Sequence, residues 1–312
     1  NLFKIVSLVY LDRLYMLKHL DSPTQKRIYG WILTPIYLKI LKLPLIDGEI
    51  ILVISISDVS ISTDNSMEFF FTENHYKFEK KLIMKMVLSP AKSLNFNTDL
   101  PTNENSKPIF LTEAKQINEL LKEKSPNELS RLMKISEKLG TLNWERNKNF
   151  STPFDSNNAR PAIYSFDGDV YSGLDVFNLP KNRISLMQNS LRILSGLYGI
   201  LKPLDLIQPY RLEMGTKLEN SEGKNLYQFW NNKITESLNQ DFKLTKNKYL
   251  VNLASNEYFE SVKKENFKYE IITPKFLDEK KGIYKVVSFF AKKARGSMAS
   301  YIIKNRIKSI DD

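Results

Sequence analysis

The sequence has no cysteine among its 312 residues, and its only two histidines are His19 and His75. Disulfides, thiolate nucleophiles, iron–sulfur clusters held by cysteine and cysteine-type zinc sites are therefore excluded. From Met84 onward neither residue type occurs, so chemistry there must use carboxylates, Tyr, Ser, Lys or Arg. A metal bound in that part would have oxygen ligands alone, which suit magnesium or calcium better than zinc or copper.

Long hydrophobic runs are also missing. The most apolar stretch, YGWILTPIYLKILKLPLI at residues 29–46, is interrupted by prolines and lysines, well short of the ~20 residues that a membrane span needs. No signal-peptide pattern is present, so we expect no membrane partner. The first residue is Asn rather than Met. We interpret residues 1–83 as an N-terminal extension, either a small extra module or, as we favour, translated sequence upstream of a start at Met84.

Acidic residues are fewer than basic ones, 35 against 46, which gives a net charge of +11. A balance this basic favours acidic partners such as nucleic acid or an anionic membrane. The imbalance is greatest near the end of the chain, where no acid occurs between Glu279 and Asp311.

The segment SFFAKKARGSMASYIIKNRI, residues 288–307, lies in this acid-free region. Helical spacing places four of its residues on one apolar face: Phe290, Ala294, Met298 and Tyr301. Its cations Lys292, Arg295 and Arg306 fall opposite. The pattern predicts a helix docked on the hairpin before it. The basic face is then either simply solvated or a surface that contacts several phosphates.

Local patterns beyond Met84 predict both helices and strands. A capping box at Ser125–Glu128 begins a helix that Gly140 ends, and two further helices cover residues 183–195 and 224–239. Strands are expected at 84–89, 248–254, 269–277 and 283–290, the last two joined by a DEKKG hairpin loop with Gly282 at positive φ. Because no regular βαβ rhythm appears, the fold class is predicted as α+β (mixed α/β). Residues 84–312 would form a single compact domain, a mixed sheet flanked by helices.

The stretch LRILSGLYGILKPLDL, residues 191–206, places Gly196 and Gly199 three residues apart. If a helix runs into these glycines, the result is a tight hairpin with free backbone N–H groups, as in the helix–hairpin–helix elements that hold DNA backbone. The alternative is an ordinary helix end followed by a turn.

Three further segments collect polar side chains suited to chemistry without histidine. IQPYRLEMG carries Arg211 and Glu213, which we interpret as a structural ion pair. Together with Glu213, residues of VNLASNEYF at a strand end and of FDGDVYSGL beside glycines make a candidate polar cluster: Asp169, Tyr171, Glu213, Asn252, Ser255, Glu257 and Tyr258. Each segment could equally be turn chemistry, because Asp-Gly and Ser-Gly are ordinary turn formers.

Together these segments resemble the peroxide stress resistance protein YaaA family. The resemblance runs from about residue 84 to the end and is carried by LSPAKSL (88–94), KPIF (107–110), GDVYSGL (168–174), LRILSGLYGILKPLDLIQPYRLEMG (191–215), GKNLYQFW (223–230), VNLASNEYF (251–259), PKFLDEK (274–280) and SFFAKKARGSMASYIIKNR (288–306). Family members usually continue past the equivalent of Arg306, so the chain reads as truncated at its end.

The resemblance implies a cytoplasmic bacterial protein of the hydrogen-peroxide response. It also implies a lowering of unincorporated iron and DNA binding that is largely independent of sequence, through a helix–hairpin–helix-like element. No cofactor, bound metal or established reaction comes with the family, so we expect a non-enzymatic protein with no catalytic residues. The implied DNA contacts are Lys92, Gly196, Gly199, Lys202, Arg211, Lys292, Lys293, Arg295 and Arg306.

An enzyme is the competing hypothesis. It would act on a phosphorylated or nucleic-acid substrate with metal assistance, using Asp169, Glu213, Glu257 and Tyr258. It requires these side chains to converge beside the basic groups. A weaker third hypothesis is an iron store whose ligands are the oxygens of the same carboxylates.

Overall fold

A computed structural model describes residues 82–310. The predictions for residues 1–83 therefore lie outside the described residues, apart from Leu82 and Ile83. The described strands are β1 (Lys85–Leu88), β2 (Ser93–Leu94), β3 (Arg160–Pro161), β4 (Phe166–Asp167), β5 (Leu191–Ser195), β6 (Gly199–Leu201), β7 (Leu206–Ile207), β8 (Tyr249–Leu253), β9 (Glu270–Ile272), β10 (Asp278–Lys280) and β11 (Ile283–Lys285).

The central sheet has five strands in the order β6-β5-β1-β8-β9. Strand β1 lies in the middle and pairs in parallel with both β5 and β8, so that Val87 is opposite Arg192 on one side and Asn252 on the other. Strand β9 is parallel to β8, whereas β6 is antiparallel to β5. The four parallel strands end at one side of the sheet, which we call the carboxyl edge, and begin at the opposite side, the amino edge. Strands β1 and β5 are buried throughout, as expected for strands covered on both faces.

Helices cover the sheet. They are α1 (Leu111–Lys122), α2 (Pro126–Met133), α3 (Glu137–Asn149), α4 (Ala162–Ser165), α5 (Asp169–Leu174), α6 (Ile184–Ser190), α7 (Leu226–Trp230), α8 (Lys233–Lys243), α9 (Asn256–Phe259) and α10 (Ser288–Asn305). The predicted α+β fold, a mixed sheet flanked by helices, is confirmed. Among residues 82–310, no helix is both long and apolar enough to cross a membrane.

The predicted capping box forms at the start of α2. The Ser125 amide donates to Glu128 Oε2 at 2.8 Å, and the Glu128 amide donates to Ser125 Oγ at 3.4 Å. The predicted helix end at Gly140 is wrong, because α2 ends earlier, at Met133, and is capped by Lys134, whose φ is 52°. Gly140 lies inside α3, where the absence of a side chain leaves room for Ser130.

The segment 191–201 is a β-hairpin of the central sheet rather than part of a helix–hairpin–helix. Helix α6 ends at Ser190 and the next five residues form β5. The indole Nε1 of Trp230 donates to the Gly196 carbonyl at 3.0 Å, and its ring packs on Gly199, whose φ is +67°. The prediction of a phosphate-binding turn at Gly196 and Gly199 is therefore wrong, because protein already covers both glycines.

The predicted C-terminal hairpin exists, but its strands differ from those expected. Strand β9 joins the central sheet, and the hairpin consists of β10 and β11 alone. Three of the residues predicted as loop, 278–280, form β10. Gly282 has the expected positive φ, 78°.

The last helix forms as predicted, but a different face is buried. Phe290 and Tyr301 are 53% and 60% exposed. The buried side consists mainly of small residues: Ala291, Gly296, Ala299, Ser300, Ile302 and Ile303. This side packs on α5 rather than on the hairpin, and Gly296 lies against the Val170 carbonyl. Small side chains let the two helix backbones approach closely, a signal that a search for large apolar residues does not detect.

Candidate functional site

Helix α10 runs antiparallel to the parallel strands. Its first turns form a cleft of about 290 Å³ with residues 275–278, which follow the end of β9. Beyond its last turn, the Lys308 carbonyl accepts a hydrogen bond from Asn247, just before β8 begins, at 2.9 Å. The N-terminal half of α10 therefore lies at the carboxyl edge and its C-terminal end at the amino edge.

Three cations, which we call the α10 cations, project from the N-terminal half of this helix: Lys292, Lys293 and Arg295. The two lysines are exposed, whereas Arg295 is partly buried and lies on the same stripe as Ala291 and Ala299. Burial lowers the pKa of Arg295. Within residues 82–310, none of the three has an ion-pair or side-chain hydrogen-bond partner, so their charges are available to a ligand.

The loop after β1 brings another cation to the same edge. Lys92 Nζ lies 2.9 Å from Glu213 Oε2, and Arg211 Nη2 lies 3.2 Å from Glu213 Oε1. The predicted ion pair of Arg211 and Glu213 is confirmed. The Lys92 side chain is 61% exposed, whereas that of Arg211 is 15% exposed, so the lysine is the more accessible of the two.

Hydroxyl groups connect the ends of β1 and β8 to helix α5. The Tyr171 hydroxyl donates to the Ser89 carbonyl at 3.0 Å. Ser89 Oγ donates to Ser255 Oγ at 3.2 Å and accepts from the Ser255 amide at 2.8 Å. Ser255, which follows β8, is thus held beside Ser89, which follows β1.

The carboxylates of the candidate polar cluster lie close by. Glu257 Oε1 accepts from the Gly215 amide at 3.0 Å. Burial raises the pKa of the Tyr258 phenol well above its usual value, and nearby Tyr210, Glu257 and Glu213 raise it further. Glu213 and Glu257 are therefore both within electrostatic reach of the Tyr258 phenol, and Glu213 is paired with Lys92.

Two other members of the predicted cluster are placed differently. Asn252 Nδ2 donates to Thr273 Oγ1 at 3.3 Å, and its Oδ1 accepts from the Ala254 amide at 3.0 Å, so Asn252 braces the ends of β8 and β9. Asp169 opens helix α5. In the described part of the chain, no three Asp, Glu or His side chains are grouped so that they could hold a metal ion.

Lys202 and Arg306 lie away from the carboxyl edge. Lys202 follows β6 at the amino edge, where its amide donates to Asp205 Oδ2 at 2.7 Å. Arg306 is the exposed residue that ends α10, with φ 57°. The predicted DNA contacts are thus divided: Lys92, Arg211 and the α10 cations are at one edge, Lys202 and Arg306 at the other.

The amino edge holds a buried charge network. Arg192 Nε lies 2.5 Å from Asp241 Oδ2, and Arg192 Nη2 donates to Asp241 Oδ1 at 2.8 Å. Beside them, Lys85 Nζ donates to the Asn189 carbonyl at 2.7 Å. Burial, reinforced by the charge of Arg192, lowers the pKa of Lys85 to about 8.

This lowered pKa gives a pH dependence of stability. The unfolded chain keeps the Lys85 proton up to an ordinary pKa of 10.5, whereas the folded chain loses it near 8. The cost of burying the charge is therefore present in full below pH ~8 and disappears as the pH rises toward ~10.5. We expect the unfolding free energy of the wild type, relative to Lys85→Met, to rise between pH ~8 and ~10 in urea titrations. The exposed-site control Lys115→Met should give a flat difference, and a flat difference for Lys85→Met would contradict the assignment.

Sequence reasoning missed two residues at the carboxyl edge. Ser89 stands directly before Pro90 in LSPAKSL, and its position after a buried strand was the signal available. Arg146 lies in the polar helix α3, with no neighbouring pattern to mark it. Burial lowers the pKa of Arg146, and the charge of Arg211 lowers it further. The two guanidinium groups therefore lie within electrostatic reach of each other.

Comparison with known proteins agrees with the family resemblance that the sequence motifs indicated. Residues 84–312 match the family model described as peroxide stress protein YaaA. A relative named UPF0246 protein, from Flavobacterium johnsoniae, is 55% identical over 229 residues, which cover 73% of this chain and 90% of the relative. Similarly named proteins from Hahella chejuensis and Saccharophagus degradans are 52% and 51% identical, over 72% and 73% of this chain and 88% and 89% of their own lengths.

Proposed function

The chain belongs to the peroxide stress protein YaaA family, and on that premise we propose that it is a cytoplasmic protein of the hydrogen-peroxide response that binds DNA through the phosphate backbone. The proposal includes the lowering of unincorporated iron that the family resemblance implies. Because residues 84–312 contain neither His nor Cys, we propose that this effect does not operate through an iron site with nitrogen or sulfur ligands.

The observation that supports DNA binding is that the α10 cations have no carboxylate partners among the described residues. A partly buried guanidinium without a carboxylate partner stands beside two exposed lysines. Exposed Lys92 adds a fourth cation at the same edge. Lysine and arginine contacts of this kind neutralise phosphates and position a duplex without reading its sequence.

The salt dependence of DNA binding tests the proposal. Removing one cation that neutralises a phosphate should reduce the magnitude of the slope of log K against log salt by about 0.9. For Lys292→Ala/Lys293→Ala/Arg295→Ala we therefore expect a slope flatter by about 2–3 and duplex affinity at least ~10-fold weaker at low salt. Filter binding of a mixed-sequence duplex over a salt series measures both.

A matched control removes the same charge elsewhere. Lys115, Arg131 and Lys138 are exposed on α1, α2 and α3, and Lys115→Ala/Arg131→Ala/Lys138→Ala should bind duplex nearly as the wild type does. If the α10 variant keeps wild-type affinity and slope, or if the control variant is weakened as much, backbone binding at the carboxyl edge is wrong.

One observation favours the competing enzyme. Glu213 and Glu257 both lie within electrostatic reach of the Tyr258 phenol, and Glu213 is paired with Lys92, so carboxylates, a phenol and a cation occur together, as acid–base chemistry on a phosphorylated or nucleic-acid substrate would use. The same binding samples separate the two functions. DNA recovered intact after incubation with Mg²⁺ supports the binding protein, whereas cleavage that Glu257→Gln abolishes supports the enzyme.

A further inference from the structure

Arg146 is held near Arg211 by the segments around them. Ser151, just beyond the end of α3, and Gln208, three residues before Arg211, exchange two hydrogen bonds of 3.0 Å. Among residues 82–310, Arg146 Nη1 has one hydrogen-bond partner, the Asn143 side chain of its own helix, at 3.3 Å. The end of helix α3 is thereby joined to the segment that carries Arg211, and the two guanidinium groups lie within electrostatic reach of each other.

The charges in this neighbourhood do not balance. Among the described residues, Lys92 and Arg211 share the single carboxylate of Glu213, and no carboxylate pairs with Arg146. Arg211 Nε is also buried without a hydrogen-bond partner. Arg146 and Arg211 are both partly buried, and cations that are incompletely paired in such surroundings are costly unless an anion joins them.

We propose that Arg146 and Arg211, with Lys92 at their rim, form an oxyanion site for the phosphate group of a ligand. Guanidinium groups present forked N–H donors that match phosphate oxygens in pairs. The positive charge that remains beside these groups favours an anion as the ligand. The phosphate can belong to DNA, in which case the site deepens the proposed function, or to a free phosphorylated molecule.

Titration of the full chain with inorganic phosphate tests the site. We expect the melting temperature of the wild type to rise with millimolar phosphate, relative to sodium chloride of equal ionic strength. Arg146→Met should melt higher than the wild type without phosphate, because cation repulsion is relieved. The same variant should bind phosphate at least ~10-fold more weakly, because it cannot form the charge-assisted hydrogen bonds. A purely structural role for Arg146 would instead lower the melting temperature.

Two further variants keep the test decisive. Arg146→Lys retains the charge but not the fork, and should bind phosphate with intermediate affinity. Arg131→Met removes an exposed arginine of α2 and should respond to phosphate as the wild type does. No phosphate response in the wild type, or a full response in both Arg146 variants, would overturn the site.

Saturating duplex DNA distinguishes the two sources of phosphate. Loss of the phosphate response in its presence assigns the site to a backbone phosphate, whereas a retained response assigns it to a free phosphorylated ligand. Either result supports the site. Failure of DNA binding together with an intact phosphate response would overturn the proposed function alone.

Discussion

Replacing Arg192 by Met is expected to lower the free energy of unfolding by about 3–5 kcal/mol. Arg192 and Asp241 form a buried pair joined by two hydrogen bonds. Burial alone would raise the pKa of Asp241, but the charge and hydrogen bonds of Arg192 outweigh it and hold that pKa below its usual value. The single variant leaves a carboxylate in the interior without its main partner, which costs more than the pair itself contributes.

A double variant separates the cost of the unpaired carboxylate from the contribution of the ion pair. Arg192→Met/Asp241→Leu removes both charges and should recover most of the stability, because apolar side chains of similar volume replace a buried ion pair at little cost. Urea unfolding of the wild type, both single variants and the double variant completes the cycle. A single-variant loss below ~1 kcal/mol would show that the pair contributes little. A double variant no more stable than Arg192→Met would show that the unpaired carboxylate is not the source of the loss.

Gly296→Ala is expected to destabilise the protein by about 2–3 kcal/mol through overpacking. In an exposed helix the same change would stabilise by about 1 kcal/mol, since Ala is the better helix former. Here the new methyl group would overlap the Val170 carbonyl and lie 2.7 Å from the Leu174 amide. Backbone atoms cannot rotate away as a flexible side chain can, so α5 and α10 must separate.

The adjacent residue provides the control. Ser297 is exposed on the same helix, so Ser297→Ala should be neutral or slightly stabilising by helix propensity. Thermal unfolding of the two variants beside the wild type measures the contrast. If Gly296→Ala melts at or above the wild type, the close approach of α5 and α10 is wrong.

Features that depend on neighbours in sequence were predictable. The capping box at Ser125 and the apolar face of residues 226–238 follow from spacing alone, and both formed. That face is nevertheless split between α7 and α8 at Asn231, whose φ is 39°. The Asn231–Asn232 pair was a local signal of this break, because Asn tolerates positive φ at a helix end. The buried run at 191–195 fits a helix or a strand equally well by periodicity, and its partner strand β1 decides between them.

In the candidate site, too, features that depend on sequence neighbours were predictable and contacts between distant residues were not. Polar residues after strand 248–254 were identified from local pattern, because a strand end exposes its following residues. Their partners could not be found in this way: Ser89 meets Ser255 across 166 residues of sequence. No sequence pattern around Arg146 predicted a binding residue, because its proposed role depends on the neighbouring charge of Arg211 rather than on its own helix.

The central position of β1 has a consequence for synthesis on the ribosome. Lys85 bonds to Asn189, 104 residues later, and Ser89 to Ser255, 166 residues later. Until the ribosome has released both partners, the first strand lacks at least one neighbour and part of its apolar surface stays unshielded. Chains with such distant pairings fold slowly and expose aggregation-prone surface meanwhile. The nascent protein should therefore depend on chaperones from the emergence of β1 until β8 can pair with it.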